Sequence, residues 1–431
     1  MRCVPFARGC LAVAVLMIPA VAVAQTPDLA AIQQQIDQLK QQLQMLQEQL
    51  EKVTAQSAAP SSPAAAVPPP PAPPPDQAAG QAPVADGAGA PPGSLPVYGA
   101  GSASSKVFNP DIAVIGDFLG AAGHNTVNPS PAMQMHESEA SFQAVVDPYA
   151  RADFFISFGE EGVELEEGFV TFPALPGGLL VKAGKMRAAF GKVNTLHNHV
   201  TPWADRPLVT QNLVNGEDGI DDAGFSVARL IPNPWFFLEA TGQVFRGDSG
   251  DLFTSSKPGD LSYVGHVRGY QDFNESTNID LGGSYAYGHN ASGVVDGADL
   301  GRFVTQLAGI DATVRWRPLQ RSIYHSFVGR SEVIWSNRQQ PVGDAHSTGL
   351  YVSGDYQFAR RWFAGARYDR SERADSPALD SGQSLTLTYW PSEFSQIRTQ
   401  YRRTRYAETE LANELLFQFQ FSIGAHGAHP F

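Results

Sequence analysis

The feature that most limits the fold of this chain is a succession of short alternating segments from Val107 to Phe431. Within each segment apolar side chains occupy every second position, which is the period of a β-strand with two different faces. Tight connections rich in Pro, Gly, Asn and Asp alternate with long polar ones. Short turns alternating with long loops are typical of barrels in the bacterial outer membrane. The pattern therefore predicts an all-β fold, a transmembrane antiparallel β-barrel over residues 107–431.

The segments predict about sixteen strands, an even number that returns both ends of the barrel to the periplasmic side. They are expected at 111–118, 139–147, 149–158, 163–172, 178–186, 223–231, 235–245, 261–271, 277–288, 304–317, 322–335, 347–358, 361–371, 382–390, 394–406 and 412–424. The long connections are expected at 121–137, 187–222, 246–260, 289–302, 337–346 and 372–381. An aromatic residue in last position, here Phe431, is typical of chains that are assembled into such barrels.

Alternation in the predicted strands separates an apolar face from a charged one. In the last strand Leu415, Phe417 and Phe419 alternate with Gln418 and Gln420. A soluble β-sandwich would alternate as well, with its apolar face inward. The polar face of this chain carries charges of both signs, as a water-filled lumen would. The residues predicted to line the lumen are Arg151, Asp153, Arg315, Arg317, Arg367, Arg398 and Arg402.

Residues 1–24 have the pattern of a cleaved signal peptide. Arg2 and Arg8 precede an apolar stretch that ends in the small-residue sequence Ala22-Val23-Ala24. Both cysteines, Cys3 and Cys10, lie within it. The mature chain is therefore expected to have no disulfide, no cysteine-ligated metal and no cysteine nucleophile.

Residues 25–55 are predicted to form a periplasmic α-helical coiled coil. Apolar residues follow the heptad spacing without a gap, which favours a left-handed coiled coil, here a trimer or tetramer. The positions are Leu29, Ile32, Ile36, Leu39, Leu43, Leu46, Leu50 and Val53. A single amphipathic helix is the alternative. Residues 56–106, rich in Pro and Ala, are expected to be an extended linker between this stalk and the barrel.

Composition excludes several classes of function. The formal net charge of -13 argues against nucleic-acid binding, which needs a basic surface. No G-x-S-x-G sequence, glycine-rich phosphate loop or other catalytic motif is present, so no enzyme and no cofactor are expected.

The barrel region resembles the phosphate-selective porin O/P family. The resemblance is carried by the strand Val163 to Phe172, the turn and strand Gly177 to Lys185, and Ala189-Phe190-Gly191 at the start of a long connection. It implies a trimeric, sixteen-stranded porin; some related porins carry a periplasmic coiled coil. Selective members use rows of lumen Arg and Lys, whereas this region has four lysines: Lys182, Lys185, Lys192 and Lys257. Phosphate selectivity is therefore not carried over.

The long connection at 187–222 is the predicted site of pore constriction. If it folds inward, its charges set ion preference, because charged rings act at close range in a pore. The residues in question are Arg187, Lys192, Asp205, Arg206, Glu217, Asp218, Asp221 and Asp222. An exterior loop at a trimer interface is the alternative.

The same connection contains a candidate metal site. His197 and His199, with Asp205 six residues on, are ligand types that zinc accepts. Polar loop residues that contact water or carbonyl groups are the alternative.

Together these patterns predict a homotrimeric outer-membrane porin with its N-terminal stalk in the periplasm. It would pass small hydrophilic solutes or ions passively and contact outer-membrane lipid and lipopolysaccharide. Contact with the cell wall is a further expected interaction. The alternatives are a barrel-anchored envelope tether and a metal-related outer-membrane transporter.

Overall fold

A computed structural model describes residues 110–424, except 161, 256, 296–297 and 300–301. The predicted signal peptide, coiled coil and linker, as well as Phe431, lie outside the described residues and stay predictions.

Sixteen antiparallel strands form one closed barrel. Each pairs with its neighbours along the chain, β9 pairs with β12, and β1 pairs with β18 to close the ring. The barrel strands are β1 Asp111–His124, β2 Met133–Asp147, β3 Ala150–Gly159, β4 Gly162–Leu175, β5 Leu179–Arg187, β6 Asp221–Leu230, β7 Phe237–Phe245, β8 Ser262–Asn274, β9 Thr277–His289, β12 Val304–Trp316, β13 Ser326–Gln340, β14 Gly343–Ala359, β15 Trp362–Arg373, β16 Ser376–Ser392, β17 Ser395–Arg405 and β18 Leu411–Gly424. Two short strands, β10 Val294–Val295 and β11 Ala298–Asp299, form a separate hairpin between β9 and β12. Closure leaves the barrel without an unpaired strand edge.

The predicted number of strands is confirmed, and each predicted strand overlaps an observed one. Two of the predicted long connections are wrong. Strands β13 and β14 continue to Gln340 and Gly343, and β15 and β16 continue to Arg373 and Ser376, so both 337–346 and 372–381 are tight hairpins. These strand ends are mostly polar on both faces, which leaves no apolar alternation to mark them as strands.

The barrel is apolar outside and polar inside. On β18, Leu415 and Phe417 are 49% and 41% exposed, whereas Gln418 and Gln420 on the opposite face are buried. This is the reverse of a soluble β-sandwich, so that alternative is wrong. An exposed apolar band of this kind requires an apolar surrounding such as lipid.

Within the part of the chain that the structure describes, the helices are short. They are α1 Leu208–Leu213 and the one-turn 3-10 helices Val193–Thr195, Asn198–Val200 and Ala291–Gly293. No helix among the described residues is long and apolar enough to cross a membrane. The connection between β5 and β6 supplies much of the buried apolar cluster, which includes Phe190, Trp203, Val209 and Leu213.

Candidate functional site: the inserted loop

Residues 188–220, which connect β5 to β6, form a segment that we call the inserted loop. At its start the amides of Ala189 and Gly191 donate hydrogen bonds to Gln243 on β7 and Ser284 on β9, with N···O distances of 2.7 and 2.9 Å. Further along, the carbonyl oxygen of His199 accepts a hydrogen bond of 2.9 Å from Gln420 on β18. The loop thus contacts widely separated strands of the ring, which requires it to lie inside the barrel.

Asp205 holds the inserted loop to the wall formed by β15 and β17. Its carboxylate oxygens lie 3.0 Å from Nη2 of Arg367 and 2.9 Å from Nη1 of Arg402, and Gln400 donates a further hydrogen bond. Burial alone would raise the pKa of Asp205, but the two guanidinium groups lower it to about 2. Asp205 is therefore an anion at neutral pH and is neutralised by the wall.

Trp203 fills the space beside this anchor. Its ring is buried and meets the ring of Tyr351 edge to face, with centroids 5.3 Å apart. The guanidinium of Arg367 lies 4.9 Å from the Trp203 ring centroid, within the range of a cation–π contact. The carbonyl oxygen of Trp203 accepts a hydrogen bond of 3.0 Å from Arg398 on β17. The aromatic ring and the ion pairs thus hold the same segment of the loop.

Arg206 holds the inserted loop together from within. Its guanidinium donates hydrogen bonds to Oδ1 of Asn198 and to the carbonyl oxygens of Val193 and Leu196, at distances of 2.6 to 3.1 Å. The side chain is almost fully buried. Arg206 therefore satisfies backbone carbonyls of the loop and does not present its charge to the lumen.

A cluster of two histidines and three glutamates, which we call the His–Glu cluster, connects the inserted loop to a second part of the wall, formed by β2 and β4. Nδ1 of His197 lies 2.5 Å from Oε2 of Glu139 on β2 and 3.0 Å from Oε2 of Glu166 on β4, and its Nε2 lies 2.6 Å from Oε1 of Glu167. Nδ1 of His199 is 3.6 Å from the same Glu139 oxygen. Burial alone would lower the pKa of His197, but the carboxylates raise it well above its usual range, whereas burial lowers the pKa of His199.

A β-bulge explains how two consecutive glutamates reach this cluster. Successive residues of a regular strand point to opposite faces. Phe155 on β3 is paired with Glu167 and the next residue, Ile156, is paired with Leu165, so Glu166 is an extra residue in β4. A bulge re-aims a side chain in this way, and both carboxylates face the lumen.

The other residues predicted for the constriction lie around the ends of β5 and β6. Arg187 donates hydrogen bonds of 3.2 and 2.9 Å to the carbonyl oxygens of Glu217 and Asp218, whose own side chains are exposed. Lys192 lies 3.9 Å from Asp280, measured from Nζ to Oδ2.

Asp221 and Asp222 belong to β6 and form local contacts. Asp221 lies 3.2 Å from Nζ of Lys185. Asp222 is buried, and its Oδ2 accepts hydrogen bonds of 2.7 Å from the amides of Gly247 and Asp248. This carboxylate orders the connection between β7 and β8.

The predicted lumen arginines fall into three groups. Arg367, Arg398 and Arg402 face the inserted loop, as described above. Arg151 is paired with Asp153 at 2.6 Å, and Arg315 lies 3.8 Å from Asp280. Arg317 follows the end of β12 and is exposed there.

The structure brings together the two histidines proposed for metal binding but not the carboxylate proposed with them. Asp205 is held by Arg367 and Arg402 on the other wall. Glu139 takes its place, and one ligand atom from each of Glu139, His197 and His199 lies within 4.8 Å of the other two. Sequence reasoning missed the three glutamates, whose only signal was their position in predicted strands that bear charges.

Comparison with known proteins identifies one related sequence and several solved structures with a similar fold. No model of a known protein family matches the chain. An uncharacterized protein of Aquifex aeolicus (strain VF5) is 30% identical over 399 residues, which cover 78% of this chain and 83% of that protein.

Among solved structures, the anion-selective porin from Comamonas acidovorans is similar with a TM-score of 0.52 at 11% identity, over 73% of this chain and 99% of that one. The outer membrane channel DcaP of Acinetobacter baumannii has a TM-score of 0.46 at 11% identity, over 76% and 100% of the two chains. At such identities the likeness to the Comamonas porin shows a shared porin fold alone. The narrower resemblance to the phosphate-selective porin O/P family has no matching family model.

Proposed function

This chain belongs to the same family as the Aquifex aeolicus protein and has a porin fold, and from that premise we propose that it is an outer-membrane porin. It passes small hydrophilic solutes or ions by passive diffusion. The observation that carries this proposal is a closed barrel, apolar outside and polar inside, with a loop anchored across its lumen. A wet interior enclosed by an apolar surface is what a channel through a bilayer requires.

We propose the inserted loop as the constriction. It contacts β2 and β4 on one side and β15 and β17 on the other, so a solute has to pass between the loop and the wall. Asp205 and His197 are the two charged contacts that fix this arrangement. We favour a channel over an enzyme because these buried charged groups are paired with groups of the barrel wall and serve to attach the loop.

The proposed selectivity is a weak preference for cations. Lumen arginines such as Arg151 and Arg367 have carboxylate partners within 3 Å, which offsets their attraction for anions. The exposed charges of the inserted loop include the acidic Asp218 and Glu217, of which Glu217 lies 3.4 Å from Nε2 of His136 on β2. This balance favours a general porin over a phosphate-selective one, although the barrel layout resembles that family.

The proposed assembly is a homotrimer in the outer membrane that contacts lipid and lipopolysaccharide through the outward apolar face. Support for the trimer comes from the heptad pattern of 25–55 and from the family resemblance. A cleaved signal peptide would deliver the chain and leave the coiled coil in the periplasm. Cross-linking of the purified protein before and after removal of residues 25–106 tests whether the stalk contributes to trimer formation.

Reversal-potential measurements in planar bilayers test the channel. We expect the conductance to increase in steps. Under a KCl gradient, the sign of the reversal potential should indicate a preference for K⁺ over Cl⁻. Neutralising both exposed acids in the double variant Glu217→Gln/Asp218→Asn should move the potential toward zero. Glu275→Gln is the matched control, since Glu275 is an exposed acid in the tight turn between β8 and β9, at the opposite end of the barrel. A folded barrel that never conducts would refute the proposal.

A further inference from the structure

Within the His–Glu cluster, one donor atom from each of Glu139, His197 and His199 lies within 4.8 Å of the other two. Nδ1 of His197 lies 2.5 and 3.0 Å from the Oε2 atoms of Glu139 and Glu166, and Nδ1 of His199 lies 3.6 Å from the Glu139 oxygen. Tetrahedral zinc, with bonds of about 2.0–2.1 Å, needs donor atoms about 3.3 Å apart. The observed separations bracket that value, so small side-chain movements would place Glu139, His197 and His199 at bonding distance from one ion.

The other nitrogen of His197 has the partner that a metal-ligating histidine needs. Nε2 lies 2.6 Å from Oε1 of Glu167. On metal binding the Nδ1 proton is lost, as ligation requires, and the proton on Nε2 stays donated to Glu167, so that the lone pair of Nδ1 faces the ion. Such a carboxylate behind the imidazole fixes the tautomer and the ring orientation at metal centres. The ring of Phe155, whose centroid is 5.1 Å from that of His197, covers the cluster with an apolar side chain.

His199 supplies an independent observation. Its side chain is buried, with 4% exposure, and its Nδ1 forms no hydrogen bond with any described residue. A buried polar nitrogen without a partner is rare and costly in a folded protein. The nitrogen points toward Glu139, where a cation bound by the other donors would supply the missing partner.

We propose that the His–Glu cluster binds a divalent transition-metal cation, with Zn²⁺ as the best fit. His197, His199 and Glu139 are the ligands, Glu166 lies beside His197 for the fourth position, and Glu167 orients His197. Two imidazoles exclude Mg²⁺ and Ca²⁺ as preferred ions, since these take oxygen ligands. Because the histidines belong to the inserted loop and the carboxylates to β2 and β4, the bound ion joins the loop to the wall.

Zinc titration of the metal-free full-length protein tests the site. Isothermal titration calorimetry should show one Zn²⁺ per chain, and Co²⁺ in its place should give the strong visible absorption of a four-coordinate nitrogen–oxygen site. His199→Gln is the decisive variant, because this side chain has no hydrogen bond to lose and its replacement should leave the fold intact. We expect its zinc affinity to fall by at least about tenfold, since loss of even an outer-shell partner has that effect.

His124→Gln is the matched control, because His124 is exposed at the end of β1. Its zinc affinity should equal that of the wild type. Glu139→Gln removes a ligand from the wall and should weaken binding to a similar degree. The proposal is overturned by a wild-type protein that does not bind one Zn²⁺, or by equal affinities of the wild type and His199→Gln. Neither result depends on conductance, so the porin proposal is tested separately.

Discussion

The substitution Asp205→Asn tests whether the seating of the inserted loop sets the conductance. The two arginines lower the pKa of Asp205 from 3.8 to about 2. At 1.36 kcal/mol per pKa unit, this shift corresponds to about 2 kcal/mol of stabilisation of the carboxylate in its seated position. Asparagine keeps the shape of the side chain but loses the charge. If that free energy holds the loop in place, the population of locally released loop should increase about 30-fold.

Two measurements on the folded protein detect this release. Single-channel recordings in planar bilayers should show more frequent conductance fluctuations, since the loop lies in the lumen. Limited trypsin digestion should cut the loop faster after Lys192, while the barrel stays folded; Arg206 precedes Pro207 and is not a trypsin site. The matched control is Asp344→Asn, which removes an exposed carboxylate from the start of β14 and should change neither result.

The reasoning would be wrong if Asp205→Asn folded normally and kept both the current noise and the trypsin resistance of the wild type. In that case each arginine would remain neutralised by its other carboxylate partner, Asp369 for Arg367 and Glu414 for Arg402. The loop would then be held in place by packing alone. The ion pairs of Asp205 would then contribute nothing to the constriction.

Three further predictions follow from the same contacts. Because the pKa of Asp205 is lowered, its stabilisation is complete above pH 3.8 and is lost as the pH falls toward 2. Because the carboxylates raise the pKa of His197, its stabilisation in the metal-free protein is complete below pH 6.5 and is lost as the pH rises through the higher folded value. Single-channel conductance fluctuations recorded against pH should therefore become more frequent at both extremes, and a flat profile would contradict the assignment. Trp203→Ala should remove about 3–5 kcal/mol of packing against Tyr351 and its neighbours, and trypsin should then cleave the loop while the barrel stays intact. Wild-type resistance to trypsin would show that the ring is dispensable. Phe417→Arg on the outward face should lower the free energy of unfolding in lipid vesicles by about 2–4 kcal/mol, and an unchanged urea midpoint would mean that this face does not meet lipid.

The strands were predictable because their signal is local. Alternation and turn residues lie within ten or so positions of each other, and closing a barrel turns that local pattern into a fold. The failures occurred where the local signal ends. Around 337–346 and 372–381 the strands continue with mostly polar residues on both faces. Apolar and polar side chains therefore do not alternate there, and the sequence gives no sign of a strand.

The site was predictable in its residue types but not in its partners. Asp205 meets Arg402, which is 197 positions away, and only barrel closure brings the two together. The prediction of Asp205 as a metal ligand was wrong because two guanidinium groups already occupy its oxygens. Glu166 and Glu167 could not both be assigned to the lumen, since a regular strand allows one of them and the bulge that admits the second leaves no mark in the sequence.

The charges on the inserted loop are opposite in sign to the walls they meet. The loop presents an anion, Asp205, to the arginines of β15 and β17, and it presents His197 to the glutamates of β2 and β4. Interchanging these two contacts would place like charges together, so the pattern specifies one orientation of the loop as well as its attachment. A loop held from both sides cannot move toward either wall without separating a buried pair from its partner, which is costly in a region of low dielectric. The position of the loop is therefore fixed by two contacts that lie 8 residues apart in the loop and belong to different parts of the ring.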